Sequence, residues 1–244
     1  MKPVVCALST GLLSFCSAAR AEWVLSIYTG TSHTRASDLR IRQPGSGSDA
    51  TFQSVHWAPR PFEDAPYYGL RISYFPARAR HLGGSFELTH YKMYARTERI
   101  LPVRGLWNGA PVNESAAMST RVRNLQISHG VNLIGVNANY RWVPAPDADG
   151  GAQRWRPHIG AGLVGYGPHA EGSINGISSS GDYQLAGWGA QVFAGTEYWL
   201  SRHVSLLIEG KFDAGRLDID LEPHARAETS VNTLHALGGV AWHF

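Results

Sequence analysis

Residues Val231–Phe244 read VNTLHALGGVAWHF. One alternate set is Leu234, Ala236, Gly238, Val240, Trp242 and Phe244, which is apolar and ends in two aromatics. The other is Thr233, His235, Leu237, Gly239, Ala241 and His243, which is small or polar. Period-two alternation predicts a strand with two unlike faces. An apolar face closing on an aromatic pair predicts a strand of an outer-membrane β-barrel. Its outer side meets lipid, and its aromatics sit at the water boundary.

The opposite end of the chain agrees. Met1–Ala21 carries Lys2, a short apolar run around Val4–Phe15, and Ala19-Arg20-Ala21 as a small-residue cleavage pattern. This reads as a secretory signal, residues 1–21, removed before Glu22. The run is too short and too rich in Ser and Gly to span a membrane as a helix. A lipoprotein reading would acylate Cys16, but Phe15 stands where a small residue is wanted. Cys6 and Cys16 are the chain's two cysteines, and both fall in the signal. Disulfides and thiolate chemistry are therefore not expected in residues 22–244.

Those residues are expected to form one barrel domain. No stretch of them approaches the roughly 18 apolar residues of a helical span. A mean hydropathy of −0.20 is no objection, since alternation dilutes the apolar residues of a barrel. Without Lys2 and Arg20 the formal charge of +3 falls to +1, and the remaining basic residues are scattered. Nucleic acid is not an expected partner. The eight Trp and ten Tyr supply material for aromatic girdles at both membrane boundaries.

Eight strands follow from the pattern: Glu22–Gly30, Ala65–Phe75, Gly84–Ala95, Ser128–Trp142, Trp155–Gly167, Tyr183–Leu200, Val204–Arg216 and Ser230–Phe244. The fold class is thus all-β, an eight-stranded antiparallel transmembrane barrel. Shorter connections (Pro76–Gly83, Val143–Arg154, Ser201–His203) alternate with longer ones (Thr31–Asp64, Arg96–Ile127, Pro168–Asp182, Leu217–Thr229). That places both termini in the periplasm and the long loops outside the cell. Val55, Trp57, Val122 and Leu125 argue that the two longest loops extend their strands above the membrane. Arg71, Glu87, Arg141, Glu197, Glu209, Lys211 and Asp213 share inward parity. They predict a lumen filled by paired charges rather than a pore. The glycines of the fifth and sixth strands read as room for crowded inward side chains.

The third strand breaks the apolar pattern. Phe86 and Leu88 fix its outward face, so counting by twos puts His90, Lys92 and Tyr94 toward lipid. At roughly 2.5 Å of climb per residue, His90 lies at mid-membrane or above, and Lys92 lies near the outer headgroups. A lysine at the midplane would cost about 2–4 kcal/mol, so these positions ask for a reason. On the fourth strand Asn132, Gly130 and Ser128 share that side, and a bulge would bring in His129. Pro168-His169-Ala170-Glu171 in the third outer loop is a candidate cation or sugar contact. No histidine belongs to a spaced metal motif such as H-E-x-x-H. Ser128 and His129 are adjacent and point to opposite faces, which disfavours a Ser/His relay.

Several of these stretches resemble the alphaproteobacterial lipid A oxidase family. They are Pro66-Tyr67-Tyr68-Gly69-Leu70-Arg71, Phe86-Glu87-Leu88-Thr89-His90-Tyr91-Lys92, His129-Gly130-Val131-Asn132-Leu133 with Asn137 and Tyr140-Arg141-Trp142, Pro157-His158-Ile159-Gly160-Ala161-Gly162-Leu163, and Pro168-His169. The first two long loops look unlike that family. The resemblance implies an outer-membrane barrel that converts the proximal glucosamine of lipid A to 2-aminogluconate with oxygen as acceptor. It implies Lys92 on a lipid A phosphate, Asn132 orienting the sugar, and His90 or His129 taking the proton of the C1 hydroxyl. No flavin or nicotinamide motif is present, so the redox centre is unknown, a divalent metal held by His and carboxylate being one candidate. The expected partner is lipopolysaccharide, and a monomer is expected. Two alternatives stand beside this reading: a non-catalytic barrel of the OmpA/OmpW type that binds lipopolysaccharide or stabilises the membrane, and a lipid A deacylase.

Overall fold

Strands form where the alternation is strongest, and they run on past it. The computed structural model describes residues 21–63, 65–127, 129–143, 153–221 and 225–244. The expected signal with both cysteines lies outside the described residues except for Ala21, and so does Ser128. Eight strands make the barrel: β1 Glu22–Thr34, β2 Tyr68–Phe75, β3 Leu82–His90, β4 Leu133–Arg141, β5 Trp155–Tyr166, β6 Gly187–Trp199, β7 Val204–Leu221 and β8 Ala225–His243. Each pairs antiparallel with the next, and β8 returns to β1 from Val24↔His243 to Thr34↔Thr233. Closure satisfies every ladder internally, the condition for a sheet to stand in lipid. The chain is therefore an all-β, eight-stranded transmembrane barrel. Among the described residues no helix is long and apolar enough to cross a membrane.

The two faces exchange character at one level. On β7, Leu206, Ile208 and Phe212 point out while Ser205, Glu209, Lys211 and Asp213 point in. Beyond Gly215 the same strand turns Arg216 and Asp220 out and Leu217, Ile219 and Leu221 in. On β8, Leu234, Val240 and Trp242 point out below the exchange, whereas Arg226 is exposed and Ala225, Ala227 and Val231 are buried above it. The outside is apolar where the solvent is lipid and polar where it is water, and the inside does the reverse. Exposed aromatics mark both limits. Trp23, Tyr74, Trp142, Trp155 and Trp242 ring the end that holds both termini, and Tyr68, Tyr183 and Trp188 mark the far limit.

Beyond that limit the long connections are strands. Ser37–Gln43 pairs with the far part of β8 and continues through Ser48–Val55, Ile100–Trp107 and Ala110–Ala117. A second sheet has the order Ile177–Ser180, Glu171–Ile174, Val122–Ile127, Met93–Ala95, Trp57–Ala58. Its members are the prolongations of β2 to β6, displaced into a sheet of their own. Leu39, Ile41 and Phe52 of one sheet share an apolar cluster with Met93, Val122, Leu125 and Ile174 of the other. This cap seals the far end of the barrel. Two Asn-Gly pairs, Asn108-Gly109 and Asn175-Gly176, turn its hairpins with positive φ at both residues.

The membrane-level lumen is filled by paired charge. Arg71 donates to Glu87 at 2.7 Å and, through two nitrogens, to Glu209 at 2.6 and 2.7 Å. Lys211 bonds Glu87, and His158 meets Glu209 at 3.0 Å. Tyr166 donates to Asp213 at 2.7 Å, with His235 on the other oxygen at 2.6 Å. Nearer the termini, Arg141 donates to Glu22 at 2.5 Å. Glycines make the room: a Cβ on Gly160 would stand 2.1 Å from the Phe193 ring. A small cavity remains beside Arg71, Arg141 and His158. Among the described residues these side chains fill the membrane-level lumen. Removing one partner of a buried ionic cluster strands the others, at about 3–5 kcal/mol. Arg71→Ala should therefore lower the unfolding free energy by roughly that amount in urea titrations of the micelle-folded barrel. An unchanged midpoint would show that the cluster is not the lumen's fastening.

A candidate site at the rim opposite the termini

Where the faces exchange, β3, β4 and β5 all break. β3 ends at His90, and Tyr91 and Lys92 lie in no strand before Met93 restarts in the outer sheet. The expected continuous strand to Ala95 is thus corrected: the ladder shifts sheets at Tyr91–Lys92, and Lys92 and Tyr94 do not share the lipid face of β3. The fourth strand, expected from Ser128, begins at Leu133. Gly130 and Asn132 just before it have φ of +92° and +45°. Asparagine tolerates that region, and glycine enters it without cost.

Asn132 fastens this break. Its Nδ2 donates to the carbonyls of Gly167 at 3.0 Å and of His129 and Gly130, each at 3.3 Å. The amide orientation is thereby set, so Oδ1 accepts from His90 Nδ1 at 2.9 Å. His90 stacks flat on Tyr68, with ring centroids 4.8 Å apart and planes at 6°. Tyr68 is opposite His90 in the ladder and points outward, so His90 has outer-face parity, as counting by twos predicts. It is nonetheless only 3% exposed, covered by the loop that Asn132 holds. Its height is that of Tyr68 at the far aromatic limit.

The same loop brings the remaining candidates together. Gly130 accepts a backbone bond from His169 at 3.4 Å, and Glu171 pairs with Gln126 across the outer sheet. His129 and His169 therefore meet edge to face, with centroids 4.6 Å apart. His129 Nδ1 lies 3.9 Å from Glu171 Oε1, while Gln126 Nε2 donates to Glu171 Oε2 at 2.8 Å. Tyr183 packs against His169 at 5.2 Å. Lys92 is only 3% exposed, and its Nζ donates to the Glu63 carbonyl at 3.2 Å. A groove of about 520 Å³ is lined by Glu63, Ala65, Lys92, Tyr94, Gln126, His129 and Glu171. Its wall combines one cation, two carboxylates, a phenol, an amide and an exposed imidazole, a mixture of donors and acceptors that suits a hydroxyl-rich ligand with a single anionic group at Lys92.

Six residues singled out in the sequence thus fall in two adjoining sets. His90 and Asn132 form the fastening, and Lys92, His129, His169 and Glu171 surround the groove. Glu63 and Gln126 escaped the sequence reading, and Tyr94 entered it only as a lipid-facing residue of the third strand. The Val122-x-x-Leu125-x-Ile127 pattern marks the strand that carries Gln126, but nothing in it ties that residue to Glu171.

A Cβ at Gly130 would fall 2.2 Å from the His90 ring, and its φ is already costly for an L side chain. Gly130→Ala should destabilise the barrel by about 1–3 kcal/mol in the same urea titration. Gly45→Ala, with nothing within 4 Å of the new methyl, should move it by less than about 0.5 kcal/mol. Equal effects would contradict the fastening.

No family model matches the chain. No curated protein is similar to it. Among solved structures, the outer membrane protein OprG from Pseudomonas aeruginosa aligns over 93% of this chain and 97% of its own, at 13% identity and a TM-score of 0.48. Outer membrane protein AlkL aligns over 100% and 97%, at 14% identity and a TM-score of 0.46. Neisserial surface protein A aligns over 92% and 99%, at 15% identity and a TM-score of 0.41. Likenesses at this level carry no inference about activity.

Proposed function

We propose that this barrel stands in the outer membrane of a Gram-negative bacterium with its cap outside the cell. There it acts from its rim on lipid A, oxidising the proximal glucosamine to 2-aminogluconate. The observation that carries the reading is the groove beside Lys92, His129 and Glu171, which opens at the level where the lipid-facing surface ends. A lipid A headgroup lies at that height without leaving the leaflet. The filled lumen leaves the rim as the place to meet it.

In this reading Lys92 holds a phosphate as a point charge. Gln126 and Tyr94 offer hydrogen bonds to sugar hydroxyls. Exposed His129, rather than buried His90, acts at the C1 hydroxyl. His90 and Asn132 position the loop that presents it. The C1–H bond and the hydroxyl O–H bond break, C1 becomes the carbonyl of a lactone, and the two electrons and two protons reduce oxygen to hydrogen peroxide. Water then opens the lactone to the acid.

Mass spectrometry of lipid A from cells expressing the barrel tests this. The proximal sugar should lose two hydrogens as lactone or gain one oxygen as acid. Lys92→Ala should raise KM roughly tenfold or more, from the ~1.5–3 kcal/mol of a hydrogen bond to a charged group. His129→Ala should act mainly on kcat. Unmodified lipid A from cells holding folded wild-type barrel would contradict the reading in favour of a non-catalytic barrel, and loss of an acyl chain would point to a deacylase.

A further inference from the structure

Three donors at the rim converge as metal ligands do. One ligand atom each from His129, His169 and Glu171 lies within 4.8 Å of the others. Ligands about 2.0–2.2 Å from a tetrahedral zinc stand roughly 3.4 Å apart, so closure asks for only about an ångström of rotamer movement. The His129 and Glu171 side chains are part-exposed, at 55% and 36%. His169 supplies an independent sign: its Nδ1 is buried and has no hydrogen-bond partner among the described residues. A buried imidazole nitrogen without a partner costs about 1–3 kcal/mol, and an ion removes that cost.

The surroundings match those of a ligand set. Gln126 holds Glu171 Oε2, which turns Oε1 toward His129. Outer hydrogen bonds of this kind orient metal ligands. Tyr183 fixes the His169 ring from one side, and Asn132 bonds the His129 carbonyl. The three ligands come from two segments joined backbone to backbone through Gly130 and His169.

We propose that His129, His169 and Glu171 together hold one divalent first-row transition-metal ion at the rim, beside the groove that Lys92 lines. Two imidazoles and one carboxylate favour zinc, cobalt, iron or nickel over magnesium and calcium, which take oxygen ligands. Three protein ligands leave positions for a water or a substrate hydroxyl, the arrangement of catalytic rather than structural sites. His129 then acts at C1 as a ligand and not as a free base. Such an ion supplies polarisation of a bound hydroxyl and, if redox-active, a route for its electrons. Its part in oxidation rests on the lipid A reading; the binding itself does not.

Co²⁺ titrated into the micelle-folded full chain tests the site, read by the visible d–d absorption of the bound ion. One equivalent should bind saturably, and excess Mg²⁺ should not displace it. His169→Ala, His129→Ala and Glu171→Gln should each weaken binding at least about tenfold, and Gln126→Ala by about tenfold. His81→Ala, at the barrel's other end, should leave it unchanged. Heat-modifiability on a gel reports folding of each variant. No saturable Co²⁺ binding by wild type, or wild-type affinity in the folded His129→Ala/His169→Ala double variant, would overturn the proposal. Saturable binding with unmodified lipid A would retain the ion and remove the oxidase.

Discussion

The exchange of polarity between the two faces organises this molecule. A strand pointing apolar side chains into lipid must point its other set inward, and in a barrel of eight strands that set has almost no room. Membrane-level strands therefore carry small or mutually paired polar residues inside. Above the lipid the requirement reverses, and Leu217, Ile219, Leu221 and Val231 turn inward against the cap sheets. β7 and β8 manage the change without interruption, whereas β1 ends at Thr34 and the chain resumes along β8 as Ser37–Gln43. β3, β4 and β5 break, and their prolongations re-form as a separate sheet. Side chains near such a break point neither to lipid nor to lumen. His129, His169 and Glu171 meet there because the two segments that change sheets lie side by side.

Much of this was legible in the chain. Alternation in Val204–Arg216 and Val231–Phe244 fixes which residues face out, and the structure keeps every assignment along β7. The charges on inward parity predict a closed lumen, and Arg71, Glu87, Glu209 and Lys211 supply it. Trp57, Val122 and Leu125 indicated ordered long connections, and all three are buried in the cap. The site was legible only as a set of interruptions. Parity says that His90 and Lys92 are out of place, but counting by twos assumes an unbroken ladder. Gly130 and Asn132 end that ladder through backbone conformation, a property with weak sequence signature. The convergence of His169 and Glu171 on His129 joins segments 40 and 42 residues apart, which no local pattern encodes. The two Asn-Gly pairs of the cap hairpins carried a turn signal that the strand count did not use.

A filled lumen and a polar rim divide the labour. The buried charges secure the barrel and fill its membrane-level lumen. The rim carries the part-exposed His129 and Glu171 and a groove at the lipid boundary. Tyr68, His90 and Asn132 tie the loop that carries His129 to the barrel wall.

The proposed function requires the rim to lie on the outward side of the membrane. Single-cysteine labelling tests that most directly, since Cys6 and Cys16 both lie in the expected signal. His129→Cys should react with a membrane-impermeant maleimide on intact cells. Arg202→Cys, on the short turn between β6 and β7 at the end with the termini, should react only after the outer membrane is permeabilised. Labelling of position 202 but not 129 on intact cells would invert the barrel and contradict the account.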